Sequence, residues 1–250
     1  MASSLVDGCD TVFHLAGPAS VATSFDAPAE FVRAHVAGTA TVLEASRRAG
    51  VSRVVHVSSA EVYGAPERNP VDESHRLQAR SPYAAAKIGA EHLVESYRLA
   101  HEMRITMLRP FSVYGPRQSR GGVIADIVRQ LLAGEVVGLV APSVVRDFCF
   151  VDDLVEAMVS AASPAGLPGT FNVGTGAGVS IAALARAAAE AVGRDVIVRA
   201  RDADRPRRAE IQELVADATR IRAALGWRPR TSLVEGLRRT IHWFRHPEAA

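Results

Sequence analysis

The sequence predicts an α/β chain built around a doubly wound parallel sheet. Three observations carry that expectation: short β-rich apolar runs, helical patterns long enough to cross between parallel strands, and turn residues at the run ends. Residues 11–16 form the first run, closed by Gly17-Pro18. A helical pattern over 28–49 stops at Gly50, and a second β-rich run covers 53–59. Ser81 is a good N-cap and Pro82 suits a first helical position, so the next helix is expected over 82–101. A third run, rich in Ile, Met and Leu, covers 104–109. Strand, helix, strand, helix, strand with such crossovers gives buried parallel strands. Chemistry in such sheets sits at the strand carboxyl ends, here Leu15-Ala16-Gly17, Ser58-Ser59-Ala60-Glu61 and Pro110-Phe111-Ser112.

From Arg117 onward the pattern changes. Helices are expected over 123–133, 152–162 and 181–192, with strands over 171–173 and 195–199. Two amphipathic helices, 219–225 and 233–244, flank Gly226-Trp227-Arg228-Pro229. No internal repeat or low-complexity tail is present.

Two hundred and fifty residues, 48% hydrophobic and 22% charged with net charge +2, can form a full hydrophobic core. No apolar run reaches the roughly 18–20 residues of a membrane span, and Met1 to Asp10 lack signal-peptide order, so a cytoplasmic location is expected. Cys9 and Cys149 stand far apart without CxxC spacing, which indicates neither a disulfide framework nor a metal site. Basic residues are dispersed, without the arrays that track nucleic acid. They comprise 28 arginines and a single lysine, Lys87.

Arginine matches lysine as a surface charge, so an arginine-biased chain needs lysine where a compact ammonium with rotatable donors is required. Lys87 follows Tyr83 by four residues in Ser81-Pro82-Tyr83-Ala84-Ala85-Ala86-Lys87, which puts both heads on one helix face. A phenol of ordinary pKa about 10 is lowered by a neighbouring cation, and such a pair is suited to removing a hydroxyl proton. The alternative is a packed tyrosine beside a solvated lysine.

The residues resemble a known family, the extended short-chain dehydrogenase/reductases acting on nucleotide sugars, the NAD-dependent epimerase/dehydratase group that includes UDP-glucose 4-epimerase. Seven blocks in order carry the resemblance: Val12-Phe13-His14-Leu15-Ala16-Gly17, Ser58-Ser59-Ala60-Glu61-Val62-Tyr63-Gly64, Ser81-Pro82-Tyr83 with Lys87, Arg109-Pro110-Phe111-Ser112-Val113-Tyr114-Gly115-Pro116-Arg117, Arg146-Asp147-Phe148 before Val151-Asp152-Asp153, Phe171-Asn172-Val173-Gly174, and Leu225-Gly226-Trp227.

The resemblance implies an incomplete doubly wound (Rossmann-type) sheet with a smaller C-terminal α/β substrate-binding domain. Residues 1–116, with 146–175 returning, form the partial NAD-binding part, and 117–145 with 176–250 the cap. It implies that NAD oxidises a sugar carbon, usually C4, of a nucleotide-diphosphate sugar. Tyr83 takes the hydroxyl proton, Ser59 bonds the same oxygen, and Lys87 holds the nicotinamide ribose. Leu15, Ala16, Gly17, Ser58 and Pro110 are expected beside the cofactor, and Ser112, Arg117 and Arg146 beside the substrate. A guanidinium at Arg146 suits a diphosphate, with an ion pair to Asp147 or Asp152 as its alternative use. Epimerisation is the leading expectation, with decarboxylation or 4,6-dehydration as alternatives and a non-catalytic sugar-nucleotide-binding remnant as a third. Glu61 is common in dehydratases and decarboxylases, whereas Ala60 cannot supply the acid that dehydration needs.

His35 and Ser112 stand where the family usually has asparagine, and Ala141-Pro142-Ser143 replaces a glycine-rich turn. His35 is either an active-site relay or a packed structural histidine. The Gly-rich dinucleotide turn has no counterpart, so about 60 residues of two strand-helix units are expected to be missing, leaving 11–16 as an open edge. Edge-to-edge pairing, aggregation or a truncated form of a complete enzyme is expected to follow. A homodimer through the helices at 28–49 and 82–101 is a further expectation.

Overall fold

The computed structural model describes residues 6–134, 136–195, 197–201 and 210–246. The main sheet consists of β1 (Thr11–His14), β2 (Arg53–Val57), β3 (Ile105–Pro110) and β7 (Gly169–Val173), all parallel in the order β1-β2-β3-β7. Helices cover both faces, which makes it doubly wound. One face packs α3 (Gly38–Arg48) and α4 (Pro82–Ala100) through Leu43 and Val94 onto Val54, Ile105 and Met107. The other packs α6 (Val151–Ala162) and α8 (Thr219–Leu225) through Leu154, Met158 and Ile221 onto Val55, Leu108 and Phe171.

β1 is an edge of this sheet, as expected, and Phe13 and Leu15 are exposed there. The expected helix over 28–49 is interrupted: α2 (Pro28–Val32) and α3 are joined by a π-helical turn, Arg33–Ala37, and a short α1 (Val21–Asp26) precedes them. The extra residue in the π turn rotates His35 into the interior, where it is buried.

A second sheet joins β4 (Ser112–Tyr114), β6 (Val145–Phe150) and β10 (Glu213–Leu214) in parallel, with β8 (Gly178–Ser180) antiparallel to β6. A two-stranded sheet pairs β5 (Val137–Val140) with β9 (Val198–Arg201). The strand expected over 195–199 therefore lies a few residues later, and Val196 is outside the described residues. α5 (Val123–Ala133), α7 (Ile181–Val192) and α9 (Leu233–Arg245) pack around this part through Ile124, Val128, Leu184, Leu237 and Ile241. Cys9 and Cys149 are free thiols. No described helix is long and apolar enough to cross a membrane.

Candidate active site

The Ser81 hydroxyl accepts from the Ala84 amide at 3.1 Å and caps α4, as its position predicted. The cap fixes the first turn, so Tyr83 and Lys87 fall on one buried face, 7% and 6% exposed. The Lys87 ammonium lies 5.9 Å from the Tyr83 ring centroid. Its Nζ donates to the Val57 carbonyl at the end of β2, at 2.9 Å. Ser59, two residues beyond, shares a hydrogen bond with the Tyr83 phenol, and its hydroxyl accepts the Glu61 amide at 3.2 Å, capping a 3-10 turn, Ala60–Tyr63. Tyr83, Lys87 and Ser59 are thus together at the carboxyl ends of the strands.

The electrostatics differ from the expectation drawn from spacing. Burial pushes the Tyr83 phenol up to about 12; the Ser59 hydrogen bond opposes this and the Glu61 charge adds to it. Burial also brings the Lys87 ammonium down to about 8, with Glu91 pulling the other way. Taking each group out of water is the largest cause of its shift.

Three buried histidines surround Lys87. Burial first, then the ammonium, brings His14 down to about 4, and the same causes lower His35 and His56. His14 Nε2 bonds the Thr39 hydroxyl at 3.0 Å, and His35 Nε2 bonds the Pro18 carbonyl at 2.9 Å. His35 packs edge-on against Tyr83, 5.5 Å between ring centres. Its ring fills the space above Gly17, where a Cβ would meet Cε1 at 2.3 Å.

Sequence reasoning missed a polar network beneath the pair. Glu91, one turn beyond Lys87, receives the Ser58 hydroxyl on Oε1 and both sides of the Arg109 guanidinium, at 2.9 Å and 2.6 Å. Arg109 also donates to the Tyr63 hydroxyl at 3.0 Å, which donates to Asn172 Oδ1 at 2.6 Å. The four-residue step from Lys87 to Glu91 was the available signal. Ser58, expected beside the cofactor, spends its hydroxyl in this network. Pro110 is buried within β3, while Leu15, Ala16 and Gly17 are exposed past the end of β1.

A cavity of about 830 Å³ adjoins the group, a size suited to a small-molecule ligand. Glu61, Ser112 and Arg146 line it, with Ser20, Val21 and Ala22 after β1 and apolar Ile127, Leu139 and Val140. Glu61 joins the cavity to Ser59 and Tyr83. Arg117 is exposed, has a positive φ of 64° and is not on the cavity wall; Arg120 is. Arg146 donates to the Ile211 carbonyl at 2.8 Å and pairs with Glu210 at 3.4 Å. The expected partners are engaged elsewhere: Asp147 accepts from Thr175, Gly176 and Ala216, and Asp152 pairs with Arg239.

A family model described as GDP-mannose 4,6 dehydratase matches residues 4–240. The chain belongs to this family. The NAD-dependent sugar epimerase/dehydratases include a UDP-glucose 4-epimerase of Mycolicibacterium smegmatis, 39% identical over 95% of this chain and 76% of that protein. A Streptomyces griseus dTDP-glucose 4,6-dehydratase is 32% identical over 95% of this chain and 72% of its own length. The solved structure of MoeE5 in complex with UDP-glucuronic acid and NAD superposes with a TM-score of 0.92 at 32% identity, covering 98% of this chain and 82% of that one. A UDP-glucuronic acid decarboxylase is also a relative, so family membership alone leaves the reaction open.

The residues present fit the nicotinamide end of such a cofactor. Leu15 to Gly17 are exposed, with the His35 ring against Gly17, and the buried ammonium lies among imidazoles whose pKa values are lowered. A Gly-rich strand-to-helix turn for the pyrophosphate does not occur among the described residues.

Proposed function

We propose that this chain acts as an NAD-dependent nucleotide-sugar epimerase, and the observation that carries the reading is the convergence of Tyr83, Ser59 and Lys87 beside a cavity lined by Glu61, Ser112 and Arg146. Lys87, with Leu15, Ala16 and Gly17, holds the nicotinamide end, and NAD, when bound, supplies the hydride acceptor and a positive ring that favours the phenolate. Tyr83 Oη exchanges the proton of the sugar hydroxyl. Ser59 Oγ hydrogen-bonds the same oxygen and fixes its distance from the phenol. Arg146, turned from Glu210, pairs with the diphosphate, and Ser112 bonds the sugar. Dispersion against Ile127, Leu139 and Val140 holds the base.

Glu61 on the cavity wall favours a second reading, a decarboxylase or 4,6-dehydratase acting through the same oxidation. Its acid-base partner in dehydration is lacking at Ala60, so decarboxylation is the stronger of the two. Incubation with NAD and UDP-glucose, then with UDP-glucuronate, separates the readings. Epimerisation gives the galacto product, decarboxylation releases carbon dioxide, and dehydration accumulates a 4-keto-6-deoxy sugar. UDP binding by calorimetry without any turnover would replace all three with a binding role.

A further inference from the structure

Lys87 is buried in a setting that works against its charge. On β1, the π turn and β2 it faces the histidines His14, His35 and His56, and on its own helix it faces Tyr83 and Glu91. Of these, Glu91 is the group whose charge supports the ammonium. Glu91 is itself 3% exposed and fully tied, by Ser58 at the end of β2 and by the paired guanidinium nitrogens of Arg109 on β3. Ser58 follows Val57, whose carbonyl receives the Lys87 proton donor. One carboxylate therefore pins α4 to two strand ends at the level where the ammonium must be held.

We propose that Glu91 is the positioning residue of this site: clamped by Ser58 and Arg109 one helical turn from Lys87, it keeps the lysine protonated and directed at the end of β2. The role deepens the epimerase reading, because an ammonium that loses its proton or swings away no longer supports Tyr83 or the nicotinamide ribose. A salt bridge of this burial contributes little net stability over apolar residues of equal size. Its expected benefit is electrostatic placement of the neighbouring lysine, which a purely packing role for Glu91 would not provide.

The chain offers a direct probe, because lysine labelled with nitrogen-15 at Nζ gives one side-chain signal, from Lys87. The labelled protein is titrated by NMR in the wild-type form and as Glu91→Gln, with circular dichroism checking the fold. The Lys87 midpoint is expected to fall in E91Q by on the order of one pH unit, the low end of what a nearby opposite charge contributes. Removing one member of a buried pair can unfold a protein, so Glu91→Gln combined with Arg109→Met is the second variant. It removes both charges and is expected to lower the midpoint in the same direction, since the charge that acts on the lysine is that of Glu91. A midpoint unchanged in whichever variant is folded overturns the proposal. The readout needs no substrate, so it stands apart from the turnover assays: a wild-type protein without turnover whose Lys87 midpoint still falls in E91Q would refute the epimerase reading and leave the role of Glu91 intact.

Discussion

Replacing Lys87 by methionine should make this protein more stable. The ammonium is brought down from 10.5 to about 8 by burial, so keeping it charged in the folded chain costs on the order of 3 kcal/mol. Methionine has nearly the same length and no charge to desolvate. Its loss is the bond to the Val57 carbonyl, worth about 1 kcal/mol. The net gain of about 2 kcal/mol corresponds to a melting temperature higher by about 4–8 °C in a chain of this size. The gain has a signature in pH. Because the folded pKa is depressed, the penalty on the wild type is complete below pH 8 and is relieved as the pH rises from 8 through 10.5. Calorimetric melts of both proteins at pH 7 and again near pH 10 should show a large difference that then shrinks. Lys87→Arg should melt below the wild type near pH 10, where the lysine has shed its proton and a guanidinium cannot. A K87M protein melting at or below the wild type at pH 7, or one whose advantage persists unchanged at high pH, would refute the reasoning.

Other consequences of the same geometry can be measured. Gly17→Ala places a methyl 2.3 Å from His35 at a φ of +133°, which should cost about 2 kcal/mol in strain and displaced packing and lower the melting temperature by several degrees. Adding His35→Ala should recover part of that loss, and independent, additive effects would contradict the contact. His14, His35 and His56 all have depressed pKa values, so their contribution to stability is present above pH 6.5 and lost as pH falls below it, for His14 down to about pH 4. Each contributes a slope of up to about 1.4 kcal/mol per pH unit in that window. Urea midpoints at pH 7 and 5 should therefore differ, and His56→Leu should reduce the difference. An equal difference in the variant would contradict the assignment.

The three strand runs, the α4 cap and the Tyr83–Lys87 juxtaposition were legible because each is set by neighbours within one helical turn or one strand. Ser81 reports the start of α4 directly, and the four-residue step fixes the shared face. The π turn at Arg33–Ala37 was not legible, since its helical pattern continues through the inserted residue. Strands β4, β6 and β10 were missed because their pairing joins Val145 with Glu213 and Ser112 with Phe148, partners that no local pattern identifies. Glu91 illustrates the same limit in the site. Its spacing from Lys87 was visible, but the Arg109 guanidinium that fixes it comes from a strand brought alongside by the sheet. The direction of the Tyr83 shift failed for a related reason: spacing supplies the neighbouring charge but says nothing of how completely both groups leave water.

In the proposed reaction the Tyr83 hydroxyl handles the proton of a sugar alcohol. Tyr83→Phe removes that oxygen and leaves the ring contacts with Phe31 and His35 in place. Conversion of UDP-glucose or UDP-glucuronate in the presence of NAD, followed by proton NMR, should fall by on the order of 100-fold to 10,000-fold in the variant, with UDP affinity unchanged by calorimetry. Turnover of Y83F at the wild-type rate would contradict the account.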